Sequence, residues 1–280
     1  MNRVIVIGNS YRTEVIRLKD SLSANRALSA GINDCRSGGA YSIAYNLAVL
    51  DTDTYLLTRL SYDSTSAEMI LNLDKLNGMV YANNSVLPKT PSRIYLIDKY
   101  NKAISLDDFT FSVYPGVEDG FPILSFEDDD YGLIKYVNTN YFLKAVATYP
   151  NVKWVCYNSL PENKVLNLVE GVVFDYDYLI RTVNERDIPN TCSELIKHGL
   201  KWILIVEEGQ FISHYDYAGF HQYRKDEQGE HVVGCFEAFL SMLMACLANG
   251  YDLVSAINHG LNLANDLSYQ ESVVLKKEFF

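Results

Sequence analysis

Apolar residues run unbroken for a few positions, then recur at helical spacing, and this exchange repeats along most of the chain. Val4 to Ile7 is a continuous β-branched run closed by Gly8, the pattern of a strand buried on both faces. From Tyr11 to Arg36 the pattern weakens and predicts short, partly exposed strands. After Gly38-Gly39, Ile43, Ala44, Leu47 and Ala48 recur on one helical face, so Ser42 to Leu50 is predicted as a helix fed by a glycine loop.

Tyr55 to Leu60 then reads as a strand and Ser66 to Leu76 as a helix closed by Asn77-Gly78. Strands are expected at Ser92–Ile97, Phe109–Tyr114, Pro122–Phe126, Val152–Tyr157, Val172–Phe174 and Trp202–Val206. Helices are expected at Asn140–Ala147, around Tyr178–Val183, and at Thr191–His198 before Gly199. Phe211–Tyr215 and Gly219–Tyr223 form a hairpin, and two consecutive helices, Gly234–Ala248 and Asp252–Asp266, end the pattern. Strand–helix alternation of this kind predicts a mostly parallel sheet covered by helices on both faces.

Composition narrows the function. The chain has 280 residues, 48% of them hydrophobic, enough for one sizeable domain. Its net charge of −11 argues against nucleic-acid and anionic-membrane partners, which need a basic footprint. The cysteines are Cys35, Cys156, Cys192, Cys235 and Cys246: an odd number, widely spaced, without a CxxC. Neither a disulfide framework nor a zinc site is expected, and a cytoplasmic location is. The run at Val4–Ile7 is too short for a signal peptide core or a membrane span. The acidic stretch Glu127–Asp130 reads as a solvated loop. The sequence contains no GxxxxGK[ST], no GxGxxG after the first strand, no GxSxG, and no histidine pair with metal-ligand spacing.

One constellation carries chemistry on its own terms. At Gly234 the chain enters a long helix, and a helix N-terminus presents unpaired amides and partial positive charge, which suits a phosphoryl group. Glu237, three residues further, can either stabilise that helix end or accept a proton from an attacking hydroxyl.

Three segments, in order, resemble the ribokinase (PfkB) family of carbohydrate kinases. They are VIVIGNSYRTE, then SGGAYSIAYNLAVLDTDTYLLTRLSYDS, then HVVGCFEAFLSMLMACLANGYDLVSAINHGLNLA, with Gly209 after WILIVEE as a further match. The resemblance implies a three-layer α/β/α sandwich with a small β lid drawn from about 12–36 and 92–114, and a possible homodimer through the lid strands. It implies ATP-dependent phosphorylation of a sugar or nucleoside hydroxyl, with ATP and Mg²⁺ as cofactors. Glu237 stands in the catalytic-base position, and Gly234, Cys235 and Phe236 stand in the anion hole. Asn9, Thr13, Gly38, Gly39 and Ser42 fall at sugar-binding positions, with Asn46 as a shifted alternative to Ser42. Gly209 and Asp175 fall at nucleotide-side positions, and no metal is held by direct protein ligands.

The departures from the family pattern cluster on the chemistry. Glu237 replaces an aspartate, Phe236 replaces the second anion-hole glycine, His231 replaces the signature's opening aspartate, and the glutamate of the NxxE motif becomes Tyr178. A catalytically inactive pseudokinase, retaining the pocket as a binding or regulatory module, is therefore the alternative expectation.

Overall fold

The computed structural model describes residues 3–21, 30–82, 86–100, 103–108, 114–116, 118–225, 227, 229, 231–270 and 274–276, with backbone alone for 30–37 and 103. Nine strands form the central sheet. In chain order they are β1 (Arg3–Ile7), β4 (Asp53–Thr58), β5 (Met79–Ala82), β8 (Tyr131–Ile134), β9 (Lys153–Tyr157), β10 (Val169–Asp175), β11 (Trp202–Glu207), β12 (Phe211–Asp216) and β13 (Gly219–Arg224). Their order across the sheet is β13-β12-β11-β10-β9-β8-β1-β4-β5. All neighbours are parallel except the β11–β12 and β12–β13 pairs.

Helices cover both faces, which is why the inner strands are apolar at every position rather than at alternate ones. Val4 and Val6 pack with α1 (Ala40–Val49), α2 (Ser64–Asp74), α6 (Cys235–Ala248) and α7 (Leu253–Ser268). Ile5 and Ile7 pack on the other side with α3 (Thr139–Thr148), α4 (Tyr176–Thr182) and α5 (Ile188–Lys197). The result is the three-layer sandwich. A second sheet of four strands, β3-β2-β6-β7, is built from β2 (Ser10–Leu18), β3 (Ala30–Gly39), β6 (Ser92–Ile97) and β7 (Ala103–Asp108).

Several expectations need correction. The segment read as short strands over Tyr11–Arg36 contains two long ones, β2 and β3, paired antiparallel. Pro122–Phe126 forms no strand. Phe121 and Phe126 instead pack their rings on Tyr149, whose hydroxyl donates to the Pro122 carbonyl at 2.7 Å, so the segment is held by side chains rather than by a ladder. Of the strand expected at Phe109–Tyr114, residues 109–113 lie outside the described residues, and Tyr114 is in a bend. In the acidic stretch, Glu127 to Asp129 are exposed, but Asp130 is buried and accepts from the amides of Arg3 (2.6 Å) and Glu127 (2.7 Å). That carboxylate ties the entrance of β1 to the loop before β8.

Two further charged residues do structural work. Arg59 is buried beside Asp119, donating from Nε at 2.8 Å, and this pair pins the loop around Glu118–Asp119 to the end of β4. Asp63 caps α2 by accepting from the Ser66 amide at 2.9 Å, and it also accepts from Thr90. These hydrogen bonds to the ionised form hold its pKa well below the usual carboxylate range, against the cost of burial.

Candidate functional site

The topology marks where a ligand belongs. From β1 the chain moves to β4 on one flank and later returns to β8 on the other, so the carboxyl ends of β1 and β8 form a switch point, where open α/β sheets leave a crevice. The Lys135 amide donates to the Ile7 carbonyl at 3.0 Å and closes the two strands together there. Around this point gather Gly8 and Asn9 after β1, Lys135 after β8, Tyr157 and Asn158 at β9, Asp175 at β10, and the first turn of α6.

The small sheet supplies the opposite wall. Residues paired in register share a face, and Thr13 pairs with Arg93, Val15 with Tyr95, and Arg93 with Asp107. Tyr11, Thr13, Arg93, Tyr95 and Asp107 therefore stand on one face. Arg93 donates from Nε and Nη2 to the two Asp107 carboxylate oxygens at 2.6 and 2.9 Å, and from Nη1 to the Tyr11 hydroxyl at 3.0 Å. Its guanidinium also lies 4.8 Å above the Tyr11 ring.

That clamp fixes Tyr11 against the glycine pair. A Cβ on Gly38 would come within 2.4 Å of a Tyr11 ring carbon and 2.3 Å of Thr13 Oγ1, and one on Gly39 within 2.6 Å of the ring. Gly39 adopts φ 69° as it turns the chain into α1, and the Ala40 amide donates to the Asn9 carbonyl at 2.9 Å. Asn9, Thr13, Gly38, Gly39 and Ser42 are thus buried around the start of α1, with Tyr11 covering the glycines. Asn46 lies elsewhere: its Oδ1 accepts from the Leu275 amide at 2.9 Å.

At the third wall, Gly234 is left-handed (φ 92°) and α6 begins at Cys235. The Cys235 amide donates to the Val232 carbonyl at 3.2 Å and that of Ala238 to Gly234 at 2.9 Å, while that of Glu237 serves its own carboxylate, so of the first-turn amides that of Phe236 has no acceptor among the described residues. Gly209, with φ 71°, fits against this turn closely: a Cβ there would meet Cys235 Cβ at 2.7 Å and Ala264 Cβ at 3.1 Å. Its contacts are with the protein, and they set the position of the helix start.

Electrostatics bind these walls into one site. Burial raises the pKa of Glu237, the Asp175 carboxylate raises it further, and its own backbone amide and Arg93 oppose the rise. Burial likewise raises Asp175, with Asp177 adding to it, although Asp175 caps α4 by accepting from the Asp177 amide at 2.9 Å. Asn158, itself left-handed at φ 42°, accepts the Asp175 amide through Oδ1 at 2.7 Å. Lys135 is pushed down to about 8, first by burial and then by Arg93, with Asp175 opposing. Its ammonium lies 4.8 Å from the Tyr178 ring centroid, 5.6 Å from Tyr114 and 6.0 Å from Tyr157. The Tyr157 hydroxyl, buried against Gly8, has no hydrogen-bond partner among the described residues.

Two buried carboxylates near the end of the sheet, close enough that Asp175 raises the Glu237 pKa, are groups that suit a hydrated divalent cation. Among the described residues no cluster of three His, Cys, Asp or Glu could hold such an ion without other ligands.

The structure brings Glu237, Asp175 and Gly38, Gly39 and Gly234 to this region, together with Tyr11, Arg93, Tyr95, Tyr114, Lys135 and Tyr157, which the sequence pattern does not single out. The available signals were a count of 21 tyrosines against 12 phenylalanines, and a lysine directly after the apolar tetrad YGLI.

Sheet order, layers and helix placement define the ribokinase fold. The structure is similar along 99% of its length to ribokinase from Thermotoga maritima (97% of that chain, TM-score 0.72, 10% identity). It is similar over 99% to Arabidopsis thaliana ribokinase complexed with ribose and ATP (96% of that chain, TM-score 0.69, 13% identity). It is also similar over 98% to a nucleoside kinase from Methanocaldococcus jannaschii (93% of that chain, TM-score 0.69, 13% identity). No family model matches the sequence, and no curated protein does.

Proposed function

We propose that the chain is an ATP-dependent kinase for the hydroxyl of a small polyhydroxylated acceptor, with Glu237 as general base. The observation that carries this reading is the position of Glu237: first turn of a long helix, at the switch point of the sheet, beside a second carboxylate and facing the small sheet. A raised pKa suits a base that must take a proton near neutrality and pass it on. The positive helix end and the Phe236 amide stabilise charge developing on the transferring group. ATP would lie over this turn, near Gly234 and Gly209. Mg²⁺, held by Asp175 together with phosphate oxygens and water, would neutralise phosphate charge. The bound ligands named for the Arabidopsis ribokinase, ribose and ATP, support the same class of partners here. Buried free cysteines at 156, 192, 235 and 246 fit a reducing cytoplasm.

A second reading, a non-catalytic ligand-binding module, is favoured by two observations. The Tyr11 ring covers the glycine pair on which the resemblance places the sugar, and Phe236 adds bulk where it implies glycine. Calorimetry with ATP·Mg²⁺, followed by ADP release over a panel of sugars and nucleosides, separates the two. ADP release that disappears in Glu237→Gln supports the kinase; nucleotide binding without release supports the module; no nucleotide binding removes the kinase, and no binding of nucleotide, sugar or nucleoside removes both.

The small sheet's other face suggests self-association. Ile16, Ile94, Leu96, Ile104 and Leu106 share it by register, and Ile104 and Leu106 are half exposed. A homodimer through these strands would cover them.

A further inference from the structure

We propose that the acceptor side of this site binds an anionic polyol, one bearing a phosphate or carboxylate, through the ammonium of Lys135. The inference rests on reading the small sheet and the β1–β8 ends as the acceptor side.

Lys135 stands at the switch point, partly exposed, with three tyrosine rings around its ammonium. Its ammonium makes no hydrogen bond to any described residue, although its backbone amide donates to Ile7. The groups that face it are Asp175 from β10, Arg93 from β6, and the hydroxyl-bearing rings of Tyr114, Tyr157 and Tyr178. Asp175 is engaged by α4, where it accepts the Asp177 amide. Arg93 is a second cation, close enough to disfavour the charge on Lys135. Its guanidinium is occupied by Asp107 and Tyr11, so it contributes field rather than an open fork. Among the described residues this lysine, gathered with a second cation and aromatic rings, has no hydrogen-bonded counter-ion, and a ligand anion supplies one. Because Tyr11 lies on Gly38 and Gly39, the ligand sits displaced from the glycines toward β8, which brings it to Lys135. A neutral sugar in that position leaves the ammonium without an acceptor.

The test is calorimetry of the full chain, without nucleotide, against a matched trio: ribose, ribose 5-phosphate and ribonate. At least one anion should bind roughly tenfold or more tightly than ribose, the return expected for one charge-assisted hydrogen bond. The preference should vanish in Lys135→Met and persist in Lys135→Arg, with melting curves confirming that both variants fold. It should also fade as pH rises from 7 to 9.5 and Lys135 loses its proton. Which anion wins distinguishes phosphate from carboxylate recognition. Ribose binding as tightly as both anions, a preference that survives in Lys135→Met, or no binding by any of the three overturns the proposal. A parallel titration with ATP·Mg²⁺ keeps the two readings apart. Anion binding through Lys135 without nucleotide binding leaves the proposal standing and the kinase reading fallen. Turnover with ribose alone does the reverse.

Discussion

The two sheets of this protein solve opposite problems with the same backbone. In β1 the positions Val4 to Ile7 are all buried, because helices lie on both faces. In β6, SRIYLI, five of six positions are only partly buried and two residue types alternate. Arg93 and Tyr95 face the site, while Ile94 and Leu96 face away from it. A half-covered sheet ordinarily turns its apolar residues to the interior and its polar ones outward. Here Val15 and Ile97 keep the inward face partly apolar, but Arg93 and Tyr95 stand on that face while Ile94 and Leu96 stand on the other, and this partial inversion has a cause. The inward face borders the carboxyl ends of β1 and β8, where the proposed function needs polar and aromatic groups, and no helix among the described residues is seen to cover the outward apolar face. On the proposed function, stability then falls to the central sheet and its helices, and recognition to the small one.

The largest expected effect tests the first half of that contrast. Phe239 of α6 is fully buried and lies against Gly260 of α7, where an added Cβ would come within 2.8 Å of its ring. Phe239→Ala should lower unfolding stability by about 3–5 kcal/mol, from lost transfer energy plus the cavity left behind. Ile94→Ala, on the outer face of the small sheet, should lose far less in the same denaturant titration. Equal losses would mean that the small sheet is as much a core element as the large one.

The same contrast explains what could be read from the sequence. Runs such as VIVI, VKWVCY and WILIV are visible because both faces are covered, and all three are strands. Strand β8 was hidden by its length of four residues and by the acidic turn before it. Strand β7, AISLDD, has no apolar run, and β5 is a four-residue edge strand. At the site, Glu237 and the glycines were legible because backbone geometry demands residues of their kind at helix starts and tight turns. Tyr11, Arg93 and Lys135 were not. Their meaning comes from which face of which strand points inward, and that is set by the pairing of β2 with β6 across some eighty residues of chain. Tyr11 also reverses what the glycine pair alone implies, an open cradle.

A smaller effect is expected where the two regions meet. Gly209→Ala places a Cβ 2.7 Å from Cys235 Cβ on a backbone with φ 71°. The left-handed conformation alone costs about 1–2 kcal/mol for a residue with a side chain, and the clash pushes on the first turn of α6. Thermal stability should fall, and any nucleotide affinity should fall with it, although Gly209 contacts protein rather than the crevice. Loss of stability with nucleotide binding intact would separate the helix start from the site.

Smaller again is the cost of keeping Glu237 ionised. Its pKa is raised in the folded protein, so the native state binds its proton more tightly than the unfolded chain does. Stability from this group therefore falls as pH rises from the ordinary carboxylate value through the raised one, and stays lower above it. Glu237→Gln should melt above the unaltered protein at pH 7, and the gap should close as pH drops toward 4. A constant gap across that range would point to lost packing instead of charge. Any activity should follow the opposite course, increasing with pH as Glu237 deprotonates.

The smallest effect on stability belongs to the outer face of the small sheet, where the comparison is sharpest. Leu106 is half exposed and pairs across β7 and β6 with Ile94. Leu106→Lys removes little from any core, and a lysine on an exposed strand opposes edge and face association. Measured on dilute protein, the melting temperature should move by no more than a surface substitution allows, about 0.5 kcal/mol in stability. Sedimentation at rising concentration should tell more. If the apolar stripe of Ile16, Ile94, Leu96, Ile104 and Leu106 is where two copies meet, the unaltered chain sediments as a dimer and Leu106→Lys as a monomer. A monomer in both cases leaves the stripe exposed and removes the dimer. A large loss of stability in dilute monomer would mean that the outer face packs on residues of its own chain, and the division between a structural sheet and a recognition sheet would have to be redrawn.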